Sequence, residues 1–91
     1  MILRYTPIFK RDFKRVRKKH YDLQFFQQVI DDLQEYDLSK LMRLYKDHAL
    51  KGEWIGFREL HISNDWLLIY RVDGKKVTLV LTRTGKHDEL F

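Results

Sequence analysis

Cysteine is absent from the 91 residues, so neither a disulfide framework nor a thiolate metal site can form, and a reducing compartment is compatible with the chain. No stretch approaches the roughly 20 apolar residues that a membrane helix requires. The opening MILRYTPIFK lacks a charged segment followed by a long apolar run. The expectation is a soluble, cytoplasmic protein with no membrane association. Proline occurs once and glycine four times, and no repeat or low-complexity segment is visible. There is no histidine pair at helical ligand spacing and no paired-carboxylate motif, which argues against metal catalysis and predicts no cofactor. Acid is scarce in one place above all: seven of the ten residues from Lys10 to Lys19 are basic and only Asp12 is acidic.

The composition that remains is that of a folded chain, 44% hydrophobic and 14% aromatic. Its length suits one domain over residues 1–91, with one modest core. A formal charge of +5 and a pI near 9.6 point to a polyanionic partner, nucleic acid first. A solvated helix face would normally mix charges to avoid self-repulsion, so the cluster Lys10, Arg11, Lys14, Arg15, Arg17, Lys18 and Lys19 is a candidate RNA-binding surface.

Residues 2–5 suit an edge strand, and Thr6-Pro7 supplies a cap and a first helical position. Phe9, Phe13, Val16 and His20 then fall on one helical stripe. A second helix from Asp22 to about Tyr36 is read from Leu23, Phe26, Ile30 and Leu33, widened by Phe25 and Val29. The short Tyr21-Asp22 junction folds the two helices into a hairpin. Residues 37–53 read mostly as loop, although Leu38, Leu41 and Leu44 have helical spacing. From residue 54 the pattern turns to strands at 55–62, 66–72 and 76–82. Ser63-Asn64-Asp65 and Asp73-Gly74-Lys75 are the turns. The expected fold is α+β: an edge strand, a two-helix hairpin and a three-stranded antiparallel meander, with the helices on one face and the other face open.

From Tyr45 the sequence reads YKDHALKGEWIGFRELHISNDWLLIY and, after a variable hairpin, VLTRTGKHDELF. These blocks, in this order and spacing, resemble the YafQ-like toxins of the RelE/ParE superfamily. The resemblance covers about half the chain closely; the N-terminal helices match only in character. It implies a toxin of a bacterial toxin-antitoxin system that cleaves messenger RNA in the ribosomal A site without a metal. It also implies neutralisation by a RelB- or DinJ-like antitoxin, with operator DNA bound only as the toxin–antitoxin complex.

Cleaving RNA without a metal requires a base for the 2′-hydroxyl proton, a cation for the phosphorane and an acid for the leaving 5′-oxygen. Histidine suits the proton transfers because its ordinary pKa is about 6.5. By resemblance His48 is a general base or phosphate ligand, though on its own it reads as an exposed histidine in the Lys46-Asp47-His48 loop. His61, near a strand end on the alternating face of Phe57 and Glu59, is read equally as a half-buried sheet residue and as a direct participant. Asp65 is an ordinary turn residue by type, and by resemblance orients a histidine or shares in proton transfer. Arg83, expected to end the last strand, can grip phosphate oxygens through two donors and is assigned to transition-state charge. His87 resembles the family's general acid, where a histidine so placed would ordinarily be idle. Lys86 and Phe91 are expected to contact substrate, Phe91 by stacking, while Trp54 and Trp66 are read as structural. By the same resemblance the basic helix contacts ribosomal RNA. Two other functions fit parts of the pattern: a ParE-like topoisomerase inhibitor, against which the three histidines argue, and a non-catalytic basic RNA-binding or repressor module, which rests on charge alone.

Overall fold

The computed structural model describes residues 2–19, 21–74 and 78–91. Strand β1 (Ile2–Tyr5) ends at Thr6, whose backbone N–H donates to Leu81 O (3.0 Å) and whose hydroxyl donates to Thr82 O (2.7 Å). The same hydroxyl accepts from Phe9 N at 2.9 Å, so one side chain closes the strand and caps helix α1 (Pro7–Arg17). Pro7 takes the first turn, where its missing N–H costs nothing. Helix α2 (Leu23–Glu35) is capped by Asp22, which accepts from Gln24 N at 2.9 Å, and stops at Tyr36 in the left-handed region (φ 48°).

The segment expected to be mostly loop contains helix α3 (Leu38–Tyr45), a two-residue strand β2 (His48–Ala49) and a 3-10 turn at Gly52–Trp54. The leucine spacing is a true signal of α3, but only Leu41 is buried, while Leu44 stays exposed. Tertiary bonds compensate for the thin apolar stripe. Tyr45 OH donates to Asp32, and Lys40 Nζ lies 3.1 Å from the same carboxylate. The Tyr45 bond, with donors from Lys40 and Gln28, holds the Asp32 carboxyl below its ordinary range despite burial.

The meander of β3 (Arg58–Ser63), β4 (Trp66–Asp73) and β5 (Thr78–Gly85) is the centre of a larger sheet in the order β1-β5-β4-β3-β2. The expected edge strand joins the meander as β1, parallel to β5, and β2, which the sequence did not show, adds a fifth strand antiparallel to β3. β3 starts at Arg58 and not Ile55, since Gly56 turns the chain at φ 93° and Ile55 is exposed. β5 runs on past Thr82 to Gly85, which places Arg83 inside the strand. The expected start of that strand at Lys76, the Lys75 of its turn and His20 of the helical stripe lie outside the described residues.

α1, α2 and α3 pack on one face, where Phe9, Val16, Phe26, Leu33 and Leu41 meet Leu60, Trp66, Leu68, Leu79 and Leu81. Trp66 is fully buried there, its ring near Tyr21 and Phe26 and its N–H on Thr84 Oγ1 at 2.8 Å, as its structural reading required. The other face carries a smaller cluster of Leu67, Ile69 and Leu90 with Leu50, Trp54 and Phe57 packed against it. β4 is therefore buried on both sides from Trp66 to Tyr70, which explains its unbroken apolar run.

Candidate active site

Cross-strand partners share a face and stand side by side, so the register places the polar residues relative to one another. One row runs His48–Glu59–Ile69–Arg83 across β2, β3, β4 and β5; the next runs His61–Leu67–Gly85. Three strand spacings separate the ends of the first row, about 14 Å at the backbone. On one side of β4 the structure thus gathers His48, Glu59 and His61; on the other stand Arg83 and, two residues after Gly85, His87. Leu67 and Ile69 lie between the two banks, buried beneath Leu90, Leu50, Trp54 and Phe57. Asp65 is not drawn into these rows: it sits exposed on the Asn64-Asp65 turn at the β3–β4 hairpin tip.

His48 is held in a strand and not in the expected loop. Lys46 ends α3 in the left-handed region (φ 55°), and Asp47 turns inward to full burial. Asp47 accepts from Arg58 Nε at 2.6 Å and from the Tyr70 hydroxyl, which burial and this carboxylate together push well above its usual pKa. That anchor fixes the residue that follows. The His48 ring lies 2.9 Å from Lys46 O through Nδ1 and 3.5 Å from Glu59 Oε1 through Nε2, with half its surface exposed. Glu59 is buried, and its Oε2 has no hydrogen-bond partner among the described residues. A buried carboxylate with an idle oxygen beside an imidazole can orient that ring, hold its proton or accept one. Glu59 did not stand out in the sequence, although an acid at a position alternating with apolar neighbours was an available signal. His61, half-buried, also lines a cavity of about 430 Å³ beside the short edge of β3, walled by Phe25, Leu44, Tyr45 and Lys46.

Helix α4 (His87–Leu90) is a further element the sequence did not show. Lys86 N donates to Glu89 Oε1 at 2.9 Å, and Leu90 plugs into the second cluster. The Lys86 N–H first, then Lys19 and Arg15, hold the Glu89 carboxyl below its ordinary range against burial. His87 on this turn is ordered by its backbone but presents an imidazole that is 72% exposed, with Asp88 Oδ1 3.9 Å from Nδ1. Phe91, half-exposed, lies across the His87 ring at 5.1 Å and edge-on to Trp54 at 6.0 Å. Lys86 is exposed beside them.

Arg83 does not point a free guanidinium at solvent. Its Nε and Nη2 donate to Asp12 Oδ2 and Oδ1, both at 3.0 Å, and this pairing raises its pKa further. Of the basic run, Arg15 is 3.2 Å from Asp12 and 3.0 Å from Glu89, and Lys19 is 3.2 Å from Glu89. Lys10, Arg11, Lys14, Arg17 and Lys18 are exposed and make no ion pair among the described residues, so the cationic surface is narrower than the sequence indicated. No group of three potential metal ligands is gathered among the described residues.

Gly85 joins these parts at φ 152°, and a Cβ there would come within 3.1 Å of Glu89 Oε1 and 3.2 Å of Arg15 Nη2. Gly85→Ala is expected to cost about 1–3 kcal/mol through backbone strain and to spread the Arg15–Glu89 pair. Melting temperature and the hydrogen-exchange protection of Phe91 N–H, bonded to His87 O at 3.0 Å, should both fall. Unchanged protection would show that the glycine is dispensable for seating α4.

Over its whole length, residues 1–91, the chain matches a family described as "Bacterial toxin of type II toxin-antitoxin system, YafQ". The protein belongs to this family of type II toxins. It is 36% identical over 89 residues to the mRNA interferase toxin YafQ of Escherichia coli strain K12, covering 98% of this chain and 94% of that one. Its fold superposes on the toxin in the crystal structure of the E. coli DinJ–YafQ complex with a TM-score of 0.85 at 36% identity, over 98% and 96% of the two chains. A metal-bound toxin from Helicobacter pylori gives a TM-score of 0.86 at 37% identity, over 100% and 99%.

Proposed function

We propose that this toxin is an mRNA interferase: an endoribonuclease that cuts messenger RNA in the ribosomal A site by attack of a 2′-hydroxyl on the neighbouring phosphodiester. The observation that carries the reading is His87, an exposed imidazole on a helical turn that follows β5, on the opposite side of β4 from the row of His48, Glu59 and His61. In this reading His87 protonates the leaving 5′-oxygen. His48 and His61 share removal of the 2′-proton and contact with phosphate, and Glu59 holds the His48 ring. Arg83 stabilises the charge that develops on the phosphorane. Lys86 contacts the backbone and Phe91 stacks on a base. Asp65 acts from the hairpin tip only if bound RNA or the ribosome brings that turn inward. The chemistry assigned to these residues needs no metal.

Lys10, Arg11, Lys14, Arg17 and Lys18 would contact ribosomal RNA, while Arg15 and Lys19 serve mainly to hold α4. A DinJ-like antitoxin is the partner that the E. coli complex suggests, and operator DNA would be bound through it. The test is purified toxin with programmed ribosomes, with and without a chelator of transition metals, keeping the magnesium that ribosomes need. Cleavage within the A-site codon that persists with chelator is expected. Intact message would sink the nuclease reading, and loss of cleavage with chelator alone would sink its metal independence.

A further inference from the structure

We propose that Asp12 is a positioning residue for Arg83, clamping the guanidinium by its inner edge so that the outer edge is presented to the reacting phosphate; this rests on the nuclease reading above.

β1 ends at Tyr5, its last register partner being Leu81, so among the described residues β5 from Thr82 onward has no strand beside it on that margin. α1 passes there instead, and Asp12 is the side chain that fills the vacancy. Its carboxylate is 1% exposed and accepts from four donors: Arg83 Nε at 3.0 Å and Thr84 N at 3.3 Å on Oδ2, Arg83 Nη2 at 3.0 Å and Arg15 Nη2 at 3.2 Å on Oδ1. Four donors saturate the lone-pair sites of a carboxylate. The arrangement fixes the Arg83 guanidinium in plane and in rotation through two parallel bonds. Both Nη1 hydrogens and the second hydrogen on Nη2 stay unclaimed by Asp12, and they form the edge that can grip a phosphate through two further bonds. An arginine with such a long side chain loses much rotamer entropy when it is held. Here the fold bears that cost before substrate arrives, which is the condition for a cation to act on charge that appears only in the transition state.

Arg15 extends the same clamp to Glu89, so the arginine and the helix carrying His87 are referenced to one point on α1. The cationic helix therefore does more than attract RNA: its single acid sets the position of a group in the site.

A double-mutant cycle in the programmed-ribosome assay tests this. Asp12→Asn turns an amide toward donors and should lower kcat about 10²-fold with KM changed less than about 3-fold. Combined with Arg83→Ala, the same change should add almost nothing, because there is no longer a guanidinium to position. Asp12→Glu, which keeps the charge, should recover part of the rate. Should Asp12→Asn fail to fold, the wild-type protein still decides the point: its Arg83 Nε–H is expected as a resolved NMR signal in slow exchange with water. Additive losses, or an Arg83 Nε–H that exchanges as freely as those of exposed arginines, would overturn the clamp while leaving the nuclease reading intact. Wild-type protein that leaves the message whole would overturn both.

Discussion

His87→Ala is expected to abolish message cleavage on the ribosome, by about 10²–10⁴-fold in kcat, while leaving the melting temperature and antitoxin binding almost unchanged. The size of the loss reflects the chemistry, because a 5′-alkoxide is a poor leaving group and a positioned acid is what makes its departure feasible. The sparing of stability follows from the position. The imidazole is 72% exposed, and the bonds that seat α4 run through Leu90, Glu89 and the Lys86 N–H, none of which the substitution touches. His87→Gln should be equally inactive, since it keeps a polar side chain but has no proton to give at neutral pH. A folded His87→Ala protein that cleaves at near wild-type rate would remove the acid from the mechanism.

Asp47→Ala is expected to have the largest effect on stability, about 3–5 kcal/mol. Asp47 is 2% exposed and joins two strands, taking the Arg58 guanidinium of β3 and the Tyr70 hydroxyl of β4. Removing the carboxylate leaves a partly buried cation and a buried hydroxyl without their acceptor, and both were desolvated on its account. For a domain of this size the melting temperature should fall on the order of 20 °C. The neighbouring His48 would lose its fixed backbone, so activity should fall even well below the melting point. A thermal unfolding curve within a few degrees of wild type would show that the network contributes little. Asp47→Asn separates charge from shape, because an amide can still accept from Tyr70 but cannot neutralise Arg58.

The two substitutions also mark what the sequence could and could not reveal. His87, Arg83, His61 and His48 were visible because they sit in blocks whose order and spacing resemble the toxin family. Helices α1 and α2 were visible because their apolar stripes are wide, and the hairpins because Asn64-Asp65 and Asp73-Gly74 are turn formers. What escaped was held by tertiary bonds. α3 buries one leucine and depends on Tyr45 and Lys40 reaching Asp32. β2 is two residues long, and α4 is one turn held by Glu89 and Leu90, so neither has a period to detect. Asp12 and Asp47 were not singled out, because nothing in a loop or a basic helix indicates that a carboxylate will be buried among cations and hydroxyls far along the chain, and the alternation that marks Glu59 went unused. Asp12 offered one clue, as the lone acid in a basic run.

The brevity of β2 has a further effect on how copies of this protein meet. A long unpaired margin on a sheet is a template for another strand and hence for aggregation. Here β2 covers β3 only at Arg58 and Glu59, and the uncovered stretch from His61 to Ser63 looks into the 430 Å³ hollow that Phe25, Leu44 and Tyr45 wall off. Side chains of α2 and α3 thus stand beside the margin that β2 leaves bare, the kind of cover that blunts edge-to-edge pairing of sheets.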